Sequence, residues 1–205
     1  MILLALNELN IDFIKGYITE GHLPNFKKLL LHGEANTKSE KKYELLEPWI
    51  QWVTVQTGKN YEEHGVFRLG DMVDRPDLHQ IFEDLEKSGL SVGAISPFNA
   101  DNRLSSSKFF IPDPWTQTKA SGGYILEKLS RTVSRFVNSN ASGKVGSAEV
   151  IWLLLGLIVY VRIKRWPKFF KLMSLLKKPG VKAAILDMIL LEVFVTLQKK
   201  HKPDY

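Results

Sequence analysis

Cysteine is absent from this 205-residue chain. That excludes disulfides, thiolate metal sites and a cysteine nucleophile outright, and it fits a reducing compartment such as the cytoplasm. Histidine is scarce: His22, His32, His64, His79 and His201 are all there is, and none is spaced as a ligand cluster. Long apolar runs are lacking too. The run Val150 to Val161 stops at twelve residues, where a spanning helix needs roughly twenty. The opening MILLALNELN has no basic residue ahead of its apolar stretch and no small-residue cleavage site, so it does not read as a signal peptide. No internal repeat is visible.

Charge is present but uneven. Residues 150–205 carry a net +8, whereas the first 149 carry −2, within an overall +6. The basic character therefore belongs to the C-terminal quarter. Uniform coating of a nucleic acid is not what this distribution suggests, and the basic tract holds no recognisable reading motif; nucleic acid is not an expected partner.

Ile2 to Leu6, apolar and followed by the polar Asn7, Glu8 and Asn10, predicts a buried central parallel strand. Residues 11–18 and 24–32 predict short helices, the second opened by Pro24 and stopped near Gly33. Residues 34–46 predict a loop leading to a strand. Trp49 to Gln56 predicts a helix ended by Gly58, and His79 to Ser88 an amphipathic helix closed by Gly89. Leu90 to Ser96 predicts a second buried strand, with Asn99 and Asp101 in the loop after it. Strand carboxyl ends in open α/β sheets are where sites form. The expected fold class is therefore α/β, a mostly parallel central sheet with flanking helices, plus a C-terminal helical segment. The division falls at 1–118 and 119–205. In the second part, turn-forming residues at 121–123 and 138–147 bracket a helix over 124–137. Helices follow over 150–161, 166–178 and 181–197, broken at Pro179-Gly180. The interleaved Trp, Phe and Lys of 162–178 suit either a solvated helix face or a helix lying on an anionic membrane surface.

One constellation stands out. Leu23-Pro24-Asn25-Phe26 through Gly33, then Trp52 separated by four residues from Thr57-Gly58, then His64-Gly65 after five intervening residues, then EKSGLSVGAIS, is similar to the N-terminal third of the alkaline-phosphatase-like superfamily. That group includes nucleotide phosphodiesterases, sulfatases and cofactor-independent phosphoglycerate mutases. The resemblance covers residues 1–118 and implies a phosphate- or sulfate-ester hydrolase-like protein that uses divalent zinc or manganese on a small ester substrate. By position, Asn7 stands where the family's first metal-binding Asp would, with Glu8 beside it. Pro48, ten residues before Gly58, stands where the nucleophile would. Gln51, three residues later, stands where an Asn binds a phosphate oxygen in the phosphodiesterase branch. His64-Gly65 matches a mainly structural motif.

The departures carry chemical weight. Proline has no oxygen or sulfur to attack with, and Asn is a neutral ligand. Glu8 and Glu47 are the carboxylates placed to take over as ligand or general base. The expected site is thus Glu47 and Gln51 for catalysis, with Asn7 and Glu8 for metal. The family's further Asp and His ligands are missing, so the resemblance implies either an N-terminal portion or a relative without the second half. Two other readings stand beside the hydrolase: a non-catalytic binding module of the same fold, and a peripheral membrane protein acting through helices 150–197. Each residue also has a plain alternative. Trp49 and Trp52 suit core packing, Gln51 a surface position, Glu47 a helix-dipole partner, His64 a hydrogen-bonded structural histidine, Asp113 a rigid turn, and Asn7 and Glu8 loop solvation.

Overall fold

A computed structural model describes residues 1–7, 9–139 and 147–205. Among them, helices dominate: α1 (Ile11–Thr19), α2 (Pro24–Leu30), α3 (Pro48–Thr57), α4 (Tyr61–His64), α5 (Ile81–Lys87), α6 (Tyr124–Ser139), α7 (Ser147–Tyr160), α8 (Trp166–Met173) and α9 (Val181–His201). The described strands are β1 (Gly93–Ile95) and β2 (Phe109–Ile111), paired in parallel with Gly93 opposite Phe109 and Ile95 opposite Ile111.

The expected α/β fold with a mostly parallel central sheet is therefore corrected. This is a helical protein holding a two-stranded parallel ribbon. Ile2 to Leu6 forms no strand, and every residue of the run is exposed, Ile2 at 61%. The physical reason is pairing. An extended run becomes a strand only beside a free strand edge, and the flank of β1 away from β2 already receives the C-terminal residues Asp204 and Tyr205. Of the second predicted strand, Gly93–Ile95 is paired, and Ser96 ends it by turning into the left-handed region at φ 53.

Local signals place the helices well. Asn10 caps α1 through its side-chain oxygen, which accepts from the amides of Asp12 and Phe13. Pro24 and Pro48 occupy first turns, where a missing N–H costs nothing. Gln80 and Glu83 close a reciprocal capping box at α5.

The ribbon sorts the core by strand alternation. Phe109 and Ile111 face one side and join Leu126, Leu129 and Val133 of α6, Tyr160 of α7, Phe169 of α8, and Ile189, Val193 and Leu197 of α9. Phe110 faces the other side with Phe82 of α5, Val92, Ala94 and Ala100. A third cluster, Val53, Val66, Met72 and Leu78, sits under α3. Gly156 lets α7 close on α6: a Cβ there would lie 2.8 Å from a Leu129 methyl. Of the turn-forming stretch 138–147, residues 140–146 lie outside the described residues.

Candidate functional site

The Thr-Gly and His-Gly pairs build a two-helix corner. Gly58, at φ 67, ends α3 in the left-handed conformation, and Gly65, at φ 61, ends α4 the same way. Glycine accepts that geometry without the Cβ penalty. Between them Asn60 caps α4 in a capping box with Glu63. His64 is fully buried against this corner. Its Nδ1 accepts from the Val66 amide at 3.0 Å, and its Nε2 lies 3.2 Å from the Thr54 hydroxyl. Burial first, then the nearby Arg75, holds its pKa below the ordinary 6.5, so it is a neutral imidazole bracing α3.

Asn99 is the second brace. It is fully buried with φ 50, and its side chain and backbone N–H are all engaged. Its amide nitrogen donates to the Trp49 carbonyl at 2.8 Å and the Arg68 carbonyl at 3.2 Å. Its side-chain oxygen accepts from the Gly70 amide at 2.8 Å, and its own backbone N–H donates to Asp113 Oδ2 at 2.8 Å. Asp113, also buried, accepts in addition from the amides of Trp115 and Thr116 and from the Thr116 hydroxyl. One side chain thereby locks α3, the 68–70 loop and the 113–116 turn together.

What these braces hold open is a cleft of about 560 Å³ at the N-terminal end of α3, lined by Tyr43, Glu44, Glu47, Trp49, Phe67, Arg68 and Leu69. Trp49 is fixed at its rim by its indole N–H, which donates to the Phe67 carbonyl at 3.0 Å. Glu47 occupies the N-cap position without making a side-chain cap bond, so its exposed carboxylate stays available beside the positive end of the helix.

The expected site residues scatter around this cleft. Glu47 lines it. Gln51 does not: its amide nitrogen donates to the Leu45 carbonyl at 2.6 Å. The Asn7 side-chain oxygen accepts from the Trp52 indole at 3.3 Å. Glu8 lies outside the described residues. Asp101, singled out at a strand end, instead accepts from Arg103 Nε at 2.7 Å and from the Thr118 hydroxyl. Arg68, Phe67, Tyr43 and Glu44 went unnoticed in the sequence. Only Phe67-Arg68-Leu69, directly after the His-Gly corner, was available as a signal, and nothing local says that it faces α3.

Glu44 and Glu47 are the carboxylates that line the cleft, and no group of three or more His, Asp or Glu side chains among the described residues is placed to hold a metal ion. No chemical step is routed through a metal here.

The chain matches no family model, no curated protein and no solved structure.

Proposed function

We propose that this chain handles a small phosphate or sulfate ester, as a hydrolase-like protein whose ester seat is the cleft at the N-terminal end of α3. The observation that carries the reading is the cleft's lining. The Arg68 guanidinium and the positive end of α3 favour an anionic head group, and Tyr43, Trp49 and Phe67 offer an apolar wall to an organic substituent. Pro48, at the first turn of α3, leaves no side-chain nucleophile. The chemistry open to these residues is attack by water. Glu47 would take the proton as the new oxygen bond to phosphorus or sulfur forms and the ester oxygen departs. Where that step does not run, the same cleft serves a binding module.

Isothermal titration with phenyl phosphate and phenyl sulfate tests the reading. Arg68→Ala should weaken binding at least about fivefold, in line with a charge-assisted contact of roughly 1–2 kcal/mol. Glu44→Gln should tighten it, because a carboxylate in the same cleft opposes the anion. No binding heat at millimolar ester would overturn the proposal.

A second reading rests on a different surface. Val150, Ile151, Leu154, Leu155, Ile158 and Val159 form an exposed stripe along α7, followed by exposed Ile163, Phe170, Met173 and Leu176. Lys164, Lys168, Lys171, Lys177 and Lys178 are exposed among them. No described helix is long and apolar enough to cross a membrane. The stripe suits lying on one, as a protein peripheral to an anionic cytoplasmic leaflet. Each lysine near such a surface is worth about 1 kcal/mol. Co-sedimentation with vesicles containing phosphatidylserine, lost at high salt, is the expected result; absence of pelleting at low salt removes the reading.

A further inference from the structure

A second cleft, of about 900 Å³, opens between α6 and the loop residues at 102–107 and 112–121. Small-molecule sites span about 300–1,000 Å³ and are mostly apolar; this one is walled by hydroxyls and charged groups. Along α6, Leu126, Leu129 and Val133 enter the core. Glu127, Ser130, Arg131 and Ser134, spaced by three and four, form the adjoining stripe and line the cleft. The facing loops are pinned by bonds of their own. Glu86 accepts from the amides and hydroxyls of both Ser105 and Ser106. Asn102 donates to the Lys119 carbonyl at 2.8 Å, and Ser134 of α6 donates to the Pro114 carbonyl at 2.6 Å. Walls fixed in this way lower the ordering cost of taking up a ligand.

The lining groups left to a ligand are of two kinds. Several hydroxyl protons are already spent on the protein: those of Ser105 and Ser106 on Glu86, that of Thr118 on Asp101 and that of Ser134 on Pro114. These oxygens keep lone pairs and can only accept, so they call for a ligand rich in O–H donors. Of the charged groups, three remain free. Asp113 already has four donors, from Asn99, Trp115 and Thr116, and Arg135 lies 3.2 Å from Glu149. Lys119, Arg131 and Glu127 have no side-chain partner among the described residues. Two cations against one carboxylate leave a single positive charge. A monoanion balances it, whereas a phosphate monoester, close to dianionic at neutral pH, overshoots.

We infer that this cleft is a site for a sugar acid, a polyhydroxylated ring that carries one carboxylate. The Arg131 guanidinium, whose fork matches the two oxygens of a carboxylate, takes the acid group together with the Lys119 ammonium. Glu127 and the serine and threonine oxygens accept from the ring hydroxyls. Gln117 and Ser130, whose side chains bond to nothing else among the described residues, complete the polar lining. Leu104, Pro112 and Ala120 offer apolar contact to the C–H faces of the ring. No residue lines both this cleft and the one at α3, so the failure of either reading leaves the other standing.

An NMR titration with glucuronate tests this, with glucose and acetate as its two halves. Glucuronate should shift the amides of Lys119 and residues 127–131 and bind at least about tenfold more tightly than either half, the worth of one charged hydrogen bond. Arg131→Ala, a change at an exposed side chain, should weaken glucuronate by about the same factor and leave phenyl phosphate binding at the α3 cleft unchanged. Glu127→Gln raises the free charge by one and should move the preference, read from the same amides, from glucuronate toward glucose 6-phosphate. No shift at millimolar glucuronate would overturn the proposal. Acetate or glucose binding as tightly as glucuronate would overturn the sugar acid, and tighter binding of glucose 6-phosphate by the unaltered chain would overturn the monoanion. Loss of glucuronate binding in Arg68→Ala but not in Arg131→Ala would place the acid in the α3 cleft and equally sink the inference.

Discussion

At the residue scale, buried polar groups hold the backbone in place. His64, read as structural from the sequence, is the clearest case. Buried and with its pKa held low, it binds fewer protons in the folded chain than in the unfolded one near its ordinary value. Its contribution is therefore complete above about pH 6.5 and declines as pH falls below that, while the unfolded imidazole takes up a proton. Urea titrations between pH 7.5 and 5 should show stability falling, and His64→Phe should flatten that dependence. His64→Ala should cost about 3 kcal/mol, from the lost volume and the orphaned Val66 amide. Asn99→Ala should cost a similar ~3 kcal/mol and also weaken ester binding, since it frees the Trp49 and Arg68 carbonyls that shape the cleft. The buried Glu192 accepts from Arg162 at 2.8 and 2.6 Å and lies 3.2 Å from Arg165. These contacts, the Arg162 hydrogen bonds foremost, hold its pKa low, so its stabilising effect is present above the ordinary carboxylate range and is lost as pH falls through the lowered value. Glu192→Ala removes the partner of both arginines and should lower the melting temperature, by less than the loss of a fully buried pair would, since Arg162 still reaches solvent.

At the scale of elements, the helices were largely legible in the sequence, and of the strands β1 lies within the predicted Leu90–Ser96 while β2 was not foreseen. Proline at first turns and glycine at helix ends act within a few residues, so they read directly, whereas the caps Asn10 and Asn60 were recognised only in the structure. Gly58→Ala should cost about 1 kcal/mol through the left-handed cap. Gly93→Ala tests the ribbon. A Cβ there would meet the Phe109 ring at 2.5 Å, and the buried ring has no free space to take, so the substitution should destabilise the chain by about 1–3 kcal/mol as overpacking does. Circular dichroism melts of the two variants would separate the cap effect from the core effect. Phe109–Ile111 escaped the sequence reading because three residues carry no periodicity. They are a strand through their bonds to β1 and the Phe110–Ser121 bridge.

At the scale of the whole molecule, the N-terminal run and the α7–α8 stripe are apolar and exposed among the described residues. The stripe is rimmed by lysines and suits an anionic plane, so its occupancy should fall with salt. Measuring vesicle binding at 50 and 500 mM salt should show that fall.

By itself the sequence determined where most of the helices lie, the helix end at Gly58, the exclusion of thiol chemistry and the basic C-terminal quarter, because prolines, glycines and charges act locally. It also placed Glu47 at the start of α3. Only the tertiary structure decided that Ile2–Leu6 is not a strand, that Asn7 and Gln51 bond to Trp52 and Leu45, and that Arg68 and Glu47 line one cleft. Each of those outcomes depends on a partner distant in the chain or on another element. A strand or a binding group is defined by what stands opposite it, which no local pattern specifies.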